Sequence, residues 1–278
     1  MRKIDAHHHL WEFNTTDYGW MDDSMKILKK NYFPVDLVSE LQENGLEGTV
    51  VVQARQKYDE TSWLLKLAEE NEFIKAVVGW VDLRSPDLER EMEPFVNHPY
   101  LKGVRHVIHD EPDLDFMLGS AFMKGLKYIE KYGLTYDLLL FPQHLPNAIK
   151  LVNKFPSLQF VVDHIAKPRI AEGLLEPWAA DIMKLASFSN VCCKISGMVT
   201  EADHASWKYE DMVPYLDVVT EAFSTKRLMI GSDWPVCLLA GSYSEVLSIS
   251  EKYFDSFSED EKDEVFYRNA KDFYRIGT

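Results

Sequence analysis

The chain has 278 residues, 46% of them apolar and 13% aromatic, with 45 acidic against 30 basic side chains and a formal net charge of −15. That much apolar material suffices for a large buried core and lies far from a disordered composition. The acidic balance argues against a nucleic-acid partner or an anionic membrane surface, while a pocket can still carry its own arginine and lysine.

The first apolar segment, KIDAHHHL at 3–10, reads as a strand and holds three adjacent histidines, His7, His8 and His9. An expression tag would sit in a flexible polar context, whereas these lie between Ile4-Asp5-Ala6 and Leu10-Trp11. The opening MRKIDAHHH has no apolar signal core, and no stretch approaches the roughly 20 apolar residues of a membrane span. A cytoplasmic location is therefore expected. After a tryptophan-bearing loop, 33–45 reads as a helix with Pro34 near its start and Gly45 at its stop. A strand at 48–54, a helix at 59–71, a strand at 74–83 and a helix at 87–96 follow. The fourth strand is 101–107 and its helix ends near 133.

The second half keeps the beat. Strands at 134–141, 158–165, 190–197 and 227–235 precede helices at 144–155, 176–188, 209–223 and 242–254, and an amphipathic helix at 259–276 closes the chain. The seventh strand carries Cys192 and Cys193; with Cys237 they make no disulfide framework and no Cys-x-x-Cys zinc site, which fits a reducing compartment. Continuous apolar strands suit a parallel sheet buried on both faces. Eight strand–helix units in this length favour a closed α/β barrel, the (β/α)8 or TIM barrel, over an open doubly wound sheet. With no linker or low-complexity stretch between them, 1–278 is read as a single domain.

Chemistry in such a barrel gathers at the C-terminal ends of the strands, and the polar residues fall there. Strand one ends in the histidines, strand four in Arg105 and His106, strand six in VVDHIAKP, strand seven in CCKISG and strand eight in IGSDWP, while strand five carries Asp137. Side chains alternate along a strand, so His7 and His9 share one face and His8 takes the other, toward the helices. The same alternation sets Asp233 in line with Gly231 and Met229, toward the interior. Each motif has a plain structural reading: Asp233 could cap the next helix, Lys167 could be merely solvated, and Arg105 could belong to an ordinary ion pair. Their shared position at the strand ends favours a site.

With these residues in view, IDAHHHLW, LKGVRH, DHIAKP, KISG and GSDWP, in this order along nearly the whole chain, the sequence resembles the amidohydrolase superfamily. Within its amidohydrolase-2 branch it is similar to the sugar-lactone hydrolases that open L-fucono- and L-rhamnonolactones. The resemblance implies a carboxylic ester hydrolase acting on a small-molecule sugar lactone. It also implies a metal site built from His-x-His on strand one, histidine on strand six and aspartate on strand eight, matched here by His7, His9, His164 and Asp233. Arg105 stands where a bridging lysine would lie and strand five lacks a histidine, so a two-metal centre is not expected. Either no cofactor is required or one divalent cation is held by His7, His9, His164 and Asp233, with zinc the first candidate.

On this reading Asp233 is the general base, His7, His9 and His164 polarise the lactone carbonyl, and Arg105, Lys194 and Asp137 bind substrate. Trp11, Tyr18 and Trp20 fall near the barrel mouth, where they could wall the site or pack beneath a loop. Two other readings stay open: a zinc-dependent decarboxylase using the same four residues, and a non-catalytic barrel that binds a sugar acid. Which lactone is used, and whether the chain forms a homo-oligomer, the sequence leaves undecided.

Overall fold

The computed structural model describes residues 2–277. Eight short strands, β1 (Ile4–His8), β2 (Gly48–Val52), β3 (Ile74–Gly79), β4 (Leu101–His106), β5 (Thr135–Leu138), β6 (Phe160–Val162), β7 (Val191–Ile195) and β8 (Leu228–Ile230), pair in parallel in chain order. The ring closes through a bridge between His8 and Trp234, where His9 N donates to Trp234 O at 2.7 Å and Asp233 N donates to His7 O at 2.8 Å. Helices α1 (Pro34–Glu43), α2 (Tyr58–Glu70), α3 (Leu88–Met92), α4 (Ser120–Lys131), α5 (Leu145–Lys154), α6 (Trp178–Ala186), α7 (Tyr209–Phe223) and α8 (Tyr243–Phe254) follow the strands in turn. This is the (β/α)8 barrel expected from the sequence.

Local chemistry sets the helix ends. Pro34 opens α1, where the Asp36 carboxylate accepts from Phe33 N at 2.8 Å, and α8 starts on a reciprocal Ser242–Glu245 capping box. One face of each longer helix is apolar and buried against the strands: Leu37 and Leu41 from α1, Phe122, Leu126 and Ile129 from α4, and Ile182 and Leu185 from α6 all lie in the layer between helices and barrel. Burial of each such side chain stabilises the fold by roughly 1.5–3 kcal/mol.

Inside the barrel a second, smaller apolar cluster joins Ile4, Ala6, Val50, Val52, Ala76, Val78, Val161 and Met229 to Ala270, Tyr274 and Ile276. The end of the chain therefore plugs the barrel floor beneath the polar residues. The expected single helix at 259–276 is instead α9 (Glu259–Asp263), a π-helical stretch (Glu264–Arg268) and α10 (Asn269–Phe273). The expected sixth strand at 158–165 stops at Val162, because His164 to Lys167 all adopt positive φ and leave the sheet. No helix among the described residues is long and apolar enough to cross a membrane. Cys192, Cys193 and Cys237 are free thiols.

Candidate active site

The first strand places its histidines by breaking step. Ile4 and Ala6 join the inner cluster, while Asp5 points to the helices, its carboxylate accepting from Ser232 Oγ at 2.6 Å and Tyr243 OH at 2.9 Å. Plain alternation from Ile4 would bring His8 inside. The β1–β2 register instead shifts between Asp5 and His8, so His8 reaches Thr49 Oγ1 at 2.9 Å, and His7 and His9 share the interior with their Nε2 atoms 3.2 Å apart. The expected pairing of His7 with His9 thus holds, carried by an irregularity rather than by unbroken alternation.

Two segments bring the remaining groups to these imidazoles. His164, Ile165, Ala166 and Lys167 form a left-handed turn with φ of 52°, 47°, 60° and 48°. Left-handed backbone costs a non-glycine residue roughly 1–2 kcal/mol. Lys167 N donating to His164 O at 2.7 Å and Trp178 Nε1 donating to Ile165 O at 2.7 Å hold it. Gly197, at φ +60°, lets the ring of His164 approach, since a Cβ there would lie 2.5 Å from His164 Nδ1. Asp233 also has positive φ, 58°, and lies beyond the end of β8. Its side chain is aimed by this kink rather than by the strand alternation read from Met229 and Gly231.

Together they make a compact donor set. Asp233 Oδ1 lies 3.3 Å from His9 Nε2, 3.7 Å from His164 Nε2 and 3.9 Å from His7 Nε2. His9 Nδ1 is 2.8 Å from the carbonyl oxygen of Val52, which can only accept, so Nδ1 donates there and Nε2 faces the site. His164 Nδ1 is engaged by Ser196 Oγ at 2.9 Å. Burial pushes the imidazoles of His7 and His164 well below the ordinary histidine range. Burial would raise the carboxyl of Asp233, but His164 and His9 outweigh it and hold it below its usual range.

The spacing and chemistry suit a divalent cation. Tetrahedral zinc with bonds of about 2.0–2.1 Å separates its ligands by about 3.3 Å, close to the separations above. His7, His164 and Asp233 each bring a ligand atom within 4.8 Å of the others. The second nitrogens of His9 and His164 each face a protein oxygen, as in metal-binding imidazoles, whereas His7 Nδ1 lies between Asp163 Oδ1 at 3.3 Å and Lys194 Nζ at 3.2 Å.

Beneath this set lies a buried ion network. Asp163 Oδ2 accepts from Arg105 Nη1 at 3.0 Å, while its Oδ1 is 3.0 Å from Lys194 Nζ and 3.3 Å from His7 Nδ1. Lys194 Nζ donates to Asp137 Oδ2 at 2.6 Å, and Tyr274 OH donates to the same oxygen at 2.9 Å. Arg105 Nε and Nη2 donate to the side chain and carbonyl of Gln53 at 2.7 and 2.5 Å, and Nη1 is 3.3 Å from His7 Nε2. Burial raises the Asp137 carboxyl to about 6 against the pull of Lys194. At Asp163, burial is outweighed by the adjoining Lys194, His7 and Arg105, in that order, and its carboxyl sits well below the usual range.

A cavity of about 370 Å³ opens above, with His9, His164, Asp233 and Arg105 in its lining. Trp11 and Trp20 stand in its wall, while Tyr18 packs against Trp11 at 5.6 Å between ring centroids. Lys194 and Asp137 do not line it. Both are fully buried and bound to each other, which corrects the expectation that they contact substrate: their charges are spent inside the barrel. Asp163, Gln53 and Ser196 were not singled out from the sequence. Alternation from Val161 would have pointed to Asp163, whereas Gln53 and Ser196 had no signal short of the coordinates.

These features define a (β/α)8 barrel with a histidine–aspartate centre at the C-terminal rim. The chain belongs to the amidohydrolase family, whose sequence profile matches residues 4–276. It is 37% identical to an L-fucono-1,5-lactonase of Burkholderia multivorans (strain ATCC 17616 / 249) over 91% of this chain and 89% of that protein. An L-fucono-1,5-lactonase of Burkholderia ambifaria is 35% identical, covering 99% of this chain and 96% of the relative. A crystal structure of an amidohydrolase from Burkholderia multivorans with bound zinc, 36% identical, superimposes with a TM-score of 0.95 over 99% of this chain and 100% of that one.

Proposed function

We propose that the protein hydrolyses a sugar-acid lactone, with Asp233 as general base and His7, His9 and His164 at the carbonyl. The observation that carries this reading is the placement of one carboxylate oxygen within 3.3–3.9 Å of three imidazole nitrogens at the base of an open cavity. The L-fucono-1,5-lactonase relatives at 35–37% identity support the substrate class.

A lactone carbonyl set over the imidazoles faces a water held by Asp233. Asp233 removes the water's proton as its oxygen bonds to the carbonyl carbon. The ring C–O bond then breaks, and the protonated carboxyl returns its proton to the departing ring oxygen, leaving an open-chain hydroxy acid. One divalent ion, zinc first, would be held by His7, His9, His164 and Asp233, where it would supply Lewis-acid polarisation of the carbonyl. Arg105, in the lining and anchored by Asp163 and Gln53, can offer an N–H to a substrate oxygen while keeping its orientation.

The test is acid release, followed with a pH indicator, from a panel of aldonolactones with and without added zinc. Turnover of at least one neutral sugar lactone supports the reading. Release of carbon dioxide from an aromatic acid, with lactones untouched, would point to a decarboxylase on the same residues. Thermal stabilisation by sugar acids without turnover would mark a binding barrel.

A further inference from the structure

The reaction above uses the cavity floor and leaves one charged pair in its wall without a role. Lys167 Nζ lies 2.5 Å from Glu201 Oε1; the side chains are 15% and 19% exposed, and both line the cavity. Their position follows from the left-handed turn. A three-residue helical period stacks side chains i and i+3 on one side. The turn that brings His164 to the floor therefore brings Lys167 to the wall, while Ile165 and Ala166 between them are fully buried in the core. An ion pair kept only for stability does not call for four consecutive residues in left-handed backbone. Strain of this kind collects where geometry serves a ligand.

Hydrogen-bonding capacity remains on this wall. Glu201 takes one of the three ammonium protons of Lys167, and the carboxylate retains free lone pairs. Beside them His109 stacks on Phe141 at 4.7 Å between centroids, and its Nδ1 is buried with no hydrogen-bond partner among the described residues. Elsewhere Trp11, Trp20, Leu139, Val236 and Leu239 give the cavity an apolar lining.

We infer that Lys167 and Glu201 are specificity residues that read the hydroxyl groups of a neutral, polyhydroxylated lactone, an inference that rests on the lactonase reading. A hydroxyl both donates and accepts, so an ammonium beside a carboxylate satisfies both halves. The pair has no net charge, and Arg105 is balanced by Asp163. The wall therefore holds no surplus cation to favour a ring that carries its own carboxylate. The apolar lining suits the C–H face of the ring.

The experiment measures kcat/KM of full-length wild type, K167M and E201Q. The substrates are the best neutral aldonolactone, unsubstituted δ-valerolactone and a lactone bearing a ring carboxylate, with melting curves to confirm folding. In K167M the preference for the hydroxylated over the unsubstituted lactone should fall about 10- to 100-fold, through a raised KM, as loss of a charged hydrogen bond implies. In E201Q the preference for the carboxylate-bearing over the neutral hydroxylated lactone should rise about tenfold, because Lys167 is left uncompensated. If one variant fails to fold, the other decides. Unchanged preferences in a folded variant of a wild type that opens lactones would overturn the inference alone. A wild type that opens no lactone would refute the proposed function and this inference with it.

Discussion

Replacing Asp163 by asparagine tests whether the network under the site is a balanced charge set. Asp163 and Asp137 face Lys194 and Arg105, two negative against two positive groups, all buried, with Asp163 contacting both cations at 3.0 Å. Asparagine keeps the size and one acceptor oxygen but removes a charge, so one buried cation is left uncompensated. Breaking a buried pair in this way costs about 3–5 kcal/mol, and at about 2 °C per kcal/mol for a chain of this length Tm should fall by about 6–10 °C. The companion variant K194M leaves one buried anion uncompensated and should cost a similar amount. The double variant restores neutrality and should be less destabilised than the sum of the singles, by about 2–3 kcal/mol. Urea unfolding followed by circular dichroism reads all four proteins. A D163N protein that melts within 2 °C of wild type, or strictly additive energies in the double variant, would refute the charge-balance reasoning.

The barrel was legible because its signals are local and repeated: eight apolar runs, each followed by a helical period, leave few other arrangements. The pairing of His7 with His9 was legible from the two-residue period, although the period itself breaks between Asp5 and His8. What escaped was set by backbone geometry and depth. Little in DHIAKP announces a left-handed turn, since Ile165, Ala166 and Lys167 are not residues that favour positive φ. The turn is imposed by its surroundings, including the room left at Gly197. Lys194 and Asp137 were recognised as polar residues of interior strands, but depth along a strand decides between meeting substrate and meeting a counter-ion. Lys194 lies within β7 and Asp137 within β5, below the rim where His164 and Asp233 emerge.

D233N should lower kcat about 10²- to 10⁴-fold without loss of folded structure, read by initial rates beside a melting curve; wild-type kcat would remove Asp233 as base. G197A forces positive φ on alanine at a cost of roughly 1–2 kcal/mol and drives its Cβ into the ring of His164. It should therefore lose lactone turnover at least tenfold at temperatures where it remains folded, and full activity would show that His164 needs no fixed position. Glu60 gives the pH test. It is fully buried at the start of α2, its carboxylate accepts from Ala54 N at 3.1 Å and Arg55 N at 2.9 Å, and burial raises its pKa from 4.5 to about 7. Between those two values the folded chain keeps a proton that the unfolded chain releases, so the stability from this group is present below pH 4.5 and is lost as pH rises through 7. The loss amounts to about 3 kcal/mol. E60Q cannot ionise and still offers an acceptor to both backbone N–H groups, so its urea midpoint should fall less between pH 5 and pH 8 than that of wild type. Equal falls in the two proteins would mean that Glu60 is already ionised in the folded state at pH 5, its two backbone hydrogen bonds outweighing burial.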